Sequence, residues 1–174
     1  MTKDFVCVGV SVKPRGLDGT LKLALSTDNF VARAIENRKE TVFYDEGERQ
    51  FTAQSFKVVS GAAFVKFLGI SDVEAARALV GKNFYVKKSE IELPKDRHFI
   101  CDLLGLAVFV GDKPLGELCD VLQHGAADVY VVKTDGGEVS FPALKNLIEK
   151  IDTAAKSIII NPAVFEEVAV FKDK

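Results

Sequence analysis

The sequence predicts a mostly β protein made of two small antiparallel β-barrels joined by a linker, with one or two short helices. Three observations lead to this fold class. Short apolar or alternating runs recur along the 174 residues and are separated by turns containing Gly or Pro, a pattern typical of small barrels and sandwiches. A polar stretch at residues 87–97 divides the runs into two groups, and helical patterns are confined to two short segments.

Six strands and one helix are predicted in the first half. Ser71 is predicted to be the N-cap of the helix, because Glu74 follows it at the spacing of a capping box. Gly81 is predicted to end the helix. The strands are expected at residues 5–12, 21–25, 41–44, 51–59, 62–67 and 83–86. Three phenylalanines in these alternating runs are predicted to fill the core: Phe64, Phe67 and Phe84.

The linker prediction rests on residues 87–97, which are the most polar stretch and contain Pro94. We therefore expect one domain at residues 1–92 and a second at 93–174, with a hinge permitted between them. Helical spacing is present at residues 144–151. The strands of the second domain are expected at residues 103–110, 114–122, 128–134, 138–142, 158–160 and 165–170.

Composition favours a globular cytoplasmic protein, and we expect it to be a monomer. The chain is 48% apolar and 28% charged, with three widely spaced cysteines, which fits a globular protein with reduced thiols. The apolar run at residues 5–8 is too short for a signal sequence, and no window is long enough to span a membrane. Residues 1–92 carry 14 Lys and Arg against 12 Asp and Glu, whereas residues 93–174 carry 9 against 13. The first half therefore leans weakly toward phosphate and the second toward a basic protein.

Catalytic and metal sites find little support in the sequence. Four residues have loosely zinc-like spacing, namely His98, Cys101, Cys119 and His124. The wide gap between the two pairs fits no standard zinc finger, and the cysteines lie in or beside apolar runs, where thiols are commonly buried. Phosphate-binding, dinucleotide-binding and nucleophile-elbow motifs are missing from the sequence. We expect no metal, no cofactor and no enzymatic activity.

The loop at residues 13–19 is the strongest candidate for a binding site in the first half. Gly16 and Gly19 suit a positive φ or a close backbone approach, while Lys13 and Arg15 are placed to meet phosphates. The alternative is a tight turn whose basic residues are merely solvated. Residue chemistry alone favours that alternative, because two basic residues neutralise few phosphates.

Two phenylalanines in the second half invite a different interpretation from core filling. Phe99 and Phe141 each begin or end an apolar run, beside charged residues or Pro. An exposed ring at either position would serve as a docking anchor. A buried ring would close the end of a barrel, and the sequence leaves both possibilities open.

Two ordered series of residues resemble the RimM family of bacterial ribosome maturation factors. The family has a Lys-Pro-His-Gly-Leu-x-Gly loop between its first two strands, and residues 13–19 here read Lys-Pro-Arg-Gly-Leu-Asp-Gly. Its second half is a PRC-barrel entered through Tyr-Tyr-x-x-Asp-Leu-x-Gly, and residues 98–105 read His-Phe-Ile-Cys-Asp-Leu-Leu-Gly. The matches continue in family order through residues 115–143, so the resemblance covers essentially the whole chain.

This resemblance implies a non-enzymatic factor that binds immature small ribosomal subunits near the head and assists late assembly and rRNA processing. It assigns Lys13, Arg15, Gly16 and Gly19 to contact with small-subunit rRNA. His98 and Phe99 replace the family's paired tyrosines, which are understood to contact a ribosomal protein of the head domain. Arg15 keeps a polar group where His is usual in the family, and Phe99 keeps a ring without the hydroxyl. The alternative function is a PRC-barrel adaptor for a non-ribosomal protein, although such an adaptor would not need the 13–19 loop.

Overall fold

A computed structural model describes residues 3–123 and 125–173 of this chain. The chain forms two compact units that divide between Arg97 and His98. Both units are built mainly from strands, which confirms the predicted mostly β fold class. Within the described ranges the α-helices number four, where the sequence predicted one or two. None of the described helices combines the length and the apolarity needed to cross a bilayer.

The first unit is a closed six-stranded barrel in which every neighbouring pair is antiparallel. Around the barrel the order is β1-β2-β5-β4-β3-β6. Closure gives each of these six strands a paired neighbour on both sides. The strands are β1 (Phe5–Arg15), β2 (Thr20–Leu25), β3 (Thr41–Tyr44), β4 (Gln50–Val59), β5 (Ala62–Phe67) and β6 (Asn83–Lys87).

Phenylalanine rings from four strands fill the barrel. Phe67 is 1% exposed, and its ring centroid lies 5.6 Å from that of Phe43, 5.3 Å from Phe51 and 5.0 Å from Phe84. The predicted core positions of Phe67 and Phe84 are therefore confirmed. Phe64 was wrongly assigned to the core, because successive side chains of a strand alternate between faces. Ala63, Val65 and Phe67 of β5 point inward, so Phe64 lies half-buried on the outer surface.

Two α-helices accompany the barrel. The helix α1 (Asn29–Glu36) was not predicted, and it begins where the carboxylate of Asp28 accepts a hydrogen bond from the Val31 N–H at 2.8 Å. The helix α2 (Val73–Arg77) was predicted, but its N-cap is Asp72 rather than Ser71. It also ends before Gly81, whose N–H donates instead to the Ser11 carbonyl at 2.8 Å. A short 3-10 turn (Lys88–Glu90) lies within the segment predicted as a linker.

The second unit contains a seven-stranded sheet in the order β11-β12-β7-β8-β9-β10-β13. Its neighbouring strands are antiparallel except for β12 and β7, which run parallel. This one pair departs from the predicted antiparallel arrangement. The helices are α3 (Ile100–Leu103) and α4 (Pro162–Val168), and the strands are β7 (Ala107–Val110), β8 (Lys113–Leu122), β9 (Val129–Thr134), β10 (Gly137–Pro142), β11 (Ile148–Asp152), β12 (Ser157–Ile160) and β13 (Val170–Asp173).

Two predicted elements of the second unit were wrong in type. The expected helix at residues 144–151 is a turn followed by β11. The expected strand at residues 165–170 is mostly α4, which Asn161 caps by accepting hydrogen bonds from the Ala163 and Val164 N–H groups. Pro162 stands at the first position of this helix, where its fixed φ is favourable and no N–H is needed. The cap therefore outweighs the strand-like pattern that follows it.

Phe141 belongs to the core of the second unit. It is 1% exposed, and its ring centroid lies 6.1 Å from that of Tyr130 and 5.6 Å from that of Phe165. Burial raises the pKa of Tyr130 to about 12, with a smaller contribution from Asp128. Phe141 therefore fills the core and is not an exposed docking anchor.

Candidate functional site

Four residues form a continuous row across the outer wall of the first barrel. Lys13 of β1 is paired with Lys22 of β2, Lys22 with Phe64 of β5, and Phe64 with Lys57 of β4. Directly paired residues on neighbouring strands share one face of a sheet. With strands about 4.8 Å apart, the row is about 14 Å long. Three lysines and one aromatic ring are thus aligned on the surface.

This outer wall has an excess of positive charge that the nearly balanced charge of residues 1–92 does not indicate. Strands β1, β2, β4 and β5, with the turn at residues 16–19, carry five basic residues and a single acidic one. We call this surface the basic face; it comprises Lys13, Arg15, Lys22, Lys57, Lys66 and Phe64. Lys13 and Lys22 stand directly opposite each other. Like charges in that position cost stability, and an anionic partner would remove the cost.

The acidic groups near the basic face are already engaged. Asp18 lies 3.3 Å from the Lys66 ammonium. Hydrogen bonds from Thr20, and then from Lys66, hold the pKa of Asp18 below its ordinary value. At the other end, Glu36 accepts a hydrogen bond from the Val58 N–H at 2.9 Å. This hydrogen bond is the main cause that lowers the pKa of Glu36. The hydrogen bond from Arg33 and the positive charges of Arg33 and Lys57 lower it further.

Arg15 covers the aromatic ring at the centre of the basic face. Its guanidinium carbon lies 4.0 Å from the centroid of the Phe64 ring. Arg15 itself is exposed, while Phe64 is half-buried. A cation over an exposed aromatic face gains about 0.5–1 kcal/mol, so the ring restricts the guanidinium to a defined place on the surface.

The loop predicted at residues 13–19 is shorter in the structure, because Lys13 and Arg15 belong to β1 and only residues 16–19 form the turn. This turn is fixed by its glycines. Gly16 and Gly19 have φ angles of +70° and +85°, which residues with a Cβ rarely adopt. A Cβ on Gly19 would lie 2.2 Å from the carbonyl oxygen of Ile70, whereas one on Gly16 would meet nothing nearer than 4.0 Å. Leu17 at the tip is 85% exposed. Gly19 therefore allows the loop to lie directly against the backbone at Ile70.

A Gly19→Ala substitution is expected to destabilise the first unit by about 2–4 kcal/mol, since left-handed strain and a backbone clash act together. Gly16→Ala is the matched control, because it introduces the strain without the clash, and it should cost only about 1 kcal/mol. Urea denaturation of the full chain measures both. Equal losses at the two positions would show that the contact with Ile70 does not hold the loop.

His98 and Phe99 lie at the start of the second unit, immediately before α3. The Phe99 carbonyl accepts a hydrogen bond from the Asp102 N–H at 2.9 Å. His98 is half-buried, and Phe99 is only 9% exposed. The imidazole of His98 is therefore the accessible part of this pair. Phe99 does not offer the exposed ring that a docking anchor would require.

The four residues with zinc-like spacing are not assembled into a described site. His124 lies outside the described residues. Elsewhere in the described ranges, no group of three or more His, Cys, Asp or Glu side chains could hold a metal. The Cys119 thiol donates a hydrogen bond to the Val131 carbonyl at 3.3 Å, and burial is the main cause that raises its pKa.

The sequence predicted two residues of the basic face as site residues and missed the other four. It identified Lys13 and Arg15 in the loop, and the structure adds Lys22, Lys57 and Lys66 beside them. The available signal was the two-residue period of β2, β4 and β5, which places these lysines on the outer face of their strands. Which strands are neighbours is a property of the barrel topology, so no single segment revealed the row.

Comparisons with known proteins agree across both units. A family model described as the RimM N-terminal domain matches residues 6–91, and one described as the RimM PRC barrel domain matches residues 100–165. The chain is 36% identical over 162 residues to the ribosome maturation factor RimM of Acetivibrio thermocellus, covering 84% of this chain and 87% of that protein.

Two further comparisons extend over most of the chain. The ribosome maturation factor RimM of Desulfitobacterium hafniense is 32% identical, with 88% of this chain and 89% of that protein covered. A crystal structure from Pseudomonas aeruginosa, described as a 16S ribosomal RNA processing protein RimM, covers 91% of this chain and 97% of its own. It is 27% identical, with a TM-score of 0.43.

Proposed function

This chain belongs to the RimM family, and on that basis we propose that it is a cytoplasmic ribosome maturation factor. In this proposal it binds immature small ribosomal subunits near the head and assists late assembly and processing of the small-subunit rRNA. It acts by binding and catalyses no covalent step. A factor that binds the immature particle more tightly than the mature one shifts the population between conformations without chemistry of its own.

The basic face is the observation that carries the proposal. Five cations on four neighbouring strands are matched by few carboxylates, and those carboxylates already have partners. Such a surface attracts a polyanion through the release of its counterions. Within it, Lys13 and Arg15 at the end of β1 supply the RNA contact. Gly16 and Gly19 shape the turn that follows these two residues, and in this proposal the turn lies against the RNA.

We place the protein contact at His98 and Phe99. In this proposal the half-buried imidazole of His98 contacts a basic ribosomal protein of the subunit head. The buried Phe99 side chain holds the segment in place. The second half of the chain is acidic, with 9 Lys and Arg against 13 Asp and Glu at residues 93–174. Complementary charge of this kind speeds association with a basic partner. The factor binds as a monomer in this scheme.

Co-sedimentation of the tagged full chain with immature and mature small subunits tests the proposal. The wild-type chain is expected to be enriched on immature particles. His98→Ala should weaken that association several-fold, because it removes the accessible half of the pair. Phe99→Leu should weaken it less, because the substitution retains apolar volume at a buried position.

Two controls keep this test decisive. Thermal denaturation of each variant shows whether the second unit remains folded, and Cys101→Ser changes an exposed neighbour on α3 without altering the pair. Failure of the wild-type chain to bind either particle would overturn the proposed function. Unchanged binding by both His98→Ala and Phe99→Leu would place the protein contact elsewhere.

A further inference from the structure

We propose that the basic face binds single-stranded rather than double-stranded RNA, with one unpaired base stacked on the guanidinium of Arg15. This inference rests on the proposed function and specifies the form of RNA that the first unit takes. In it, Phe64 is a positioning residue that holds the guanidinium in place. The lysines of the row contact the phosphates on either side.

The position of Arg15 supports a stacking contact. Its guanidinium carbon lies over the Phe64 ring, 4.0 Å from the ring centroid, so the ring is in contact with the cationic group. Arg15 is exposed, so a base can reach its side chain from solvent. Unpaired bases stack on aromatic rings and on guanidinium planes. A base placed there would extend a stack that already contains the ring and the guanidinium.

The charges around Arg15 fit a strand that runs across the barrel wall. Lys13 and Lys22 lie on one side of Phe64 in the row and Lys57 on the other. A row about 14 Å long, with a stacking group beside its middle, combines the two features of single-strand binding surfaces: a basic track and a platform for bases. Proteins recognise duplex RNA mainly by the shape and backbone of its minor groove, where bases are not available to stack.

A conservative substitution separates stacking from simple charge attraction. Arg15→Lys keeps the positive charge and removes the plane. The probe is a labelled single-stranded oligouridine of about 12 nucleotides, within the range that one small barrel covers, and its duplex counterpart is an RNA of equal length. Fluorescence anisotropy of the full chain across a series of salt concentrations gives the affinity and its salt dependence.

We expect Arg15→Lys to weaken binding of the single strand about tenfold at every salt concentration, as loss of one stacked base predicts, with the salt slope unchanged. Affinity for the duplex should stay within about twofold. Phe64→Leu should weaken single-strand binding selectively as well, but only about two- to fivefold, because the contact that holds the guanidinium is worth about 0.5–1 kcal/mol. Lys22→Gln should instead reduce the salt slope by about 0.7, since it removes a phosphate contact. Lys87→Gln, which removes a lysine lying over Tyr44 on another part of the barrel, should change neither property.

A 2-aminopurine base placed in the oligonucleotide reports stacking directly. Its fluorescence should be quenched by the wild-type chain and not by Arg15→Lys. Wild-type affinity in Arg15→Lys, or an equal loss on single strand and duplex, would overturn the stacking proposal. If the wild-type chain still co-sediments with immature subunits in that case, the proposed function stands and only the RNA form is wrong. If it does not, the proposed function fails as well.

Discussion

Phe67→Ala is expected to reduce the free energy of unfolding of the first unit by about 3–5 kcal/mol, the usual cost of deleting a large buried ring. Phe67 is 1% exposed, and its ring lies between those of Phe43, Phe51 and Phe84. These four side chains come from β3, β4, β5 and β6, so one substitution opens a cavity shared by most of the barrel. Since a domain is stable by only about 5–15 kcal/mol, the loss is a large fraction of the total.

Amide hydrogen exchange, followed by mass spectrometry on peptides from each unit, locates the effect. Peptides from the strands of the first unit should exchange roughly two to three and a half orders of magnitude faster, because each 1.4 kcal/mol is about a factor of ten. Peptides from the second unit should be unchanged, since each unit has its own buried core. Phe67→Leu keeps much of the volume and should cost far less.

Phe141→Ala is the reciprocal control in the second unit, where Phe141 contacts Tyr130 and Phe165. It should accelerate exchange in β9 and β10 and leave the first barrel unaffected. If either alanine variant accelerated exchange equally in both units, the two would unfold as one cooperative structure. The independent cores described above would then not be separate units of stability.

The strand pattern of the first unit was largely predictable because short local signals determine it. Turns at residues 16–19, 45–49 and 60–61 separate runs whose length and alternation are typical of strands. Phe64 was misassigned because its aromatic character was given more weight than its position in that alternation. An aromatic residue was assigned to the core although the two-residue period of β5 places it outside. As a result, Phe64 was not recognised as the aromatic residue at the centre of the basic face.

The helices were harder to predict because capping decides them as much as hydrophobic periodicity does. Asp28 begins α1 and Asn161 begins α4, each by accepting hydrogen bonds from backbone N–H groups at the helix start. Such caps contribute about 1 kcal/mol, which is enough to select between helix and strand in an ambiguous apolar segment. Residues 165–170 were predicted as a strand because the cap four residues earlier was not considered.

The candidate site was only partly predictable because it is assembled by topology. Lys13 and Arg15 were found from a local loop. Lys57 joins them only because β4 pairs with β5, β5 with β2, and β2 with β1. The charge balance of the first 92 residues, 14 basic against 12 acidic, gives little indication of this. These four strands and the turn at residues 16–19 contain one of the twelve acidic residues, Asp18, and five of the basic ones, so the excess appears only when the strands are brought together.

Replacing the three lysines of the row together should produce the largest change in binding. The variant Lys13→Gln/Lys22→Gln/Lys57→Gln is expected to weaken association with immature small subunits roughly 100-fold or more at about 50 mM salt. If each lysine meets one phosphate of a single strand, the loss of three contacts lowers the slope of log affinity against log salt by about 2. The wild-type and variant affinities should therefore converge as salt approaches about 1 M.

A second triple variant, Lys39→Gln/Lys87→Gln/Lys95→Gln, changes the net charge equally within the first unit but spares β1, β2, β4 and β5. It should weaken binding only slightly, through long-range attraction that salt screens. Co-sedimentation across the salt series compares the two variants directly. Equal losses would mean that the subunit responds to total charge, and the row would have no special part in binding. A loss confined to the first variant, vanishing at high salt, is the result that phosphate contacts along the row require.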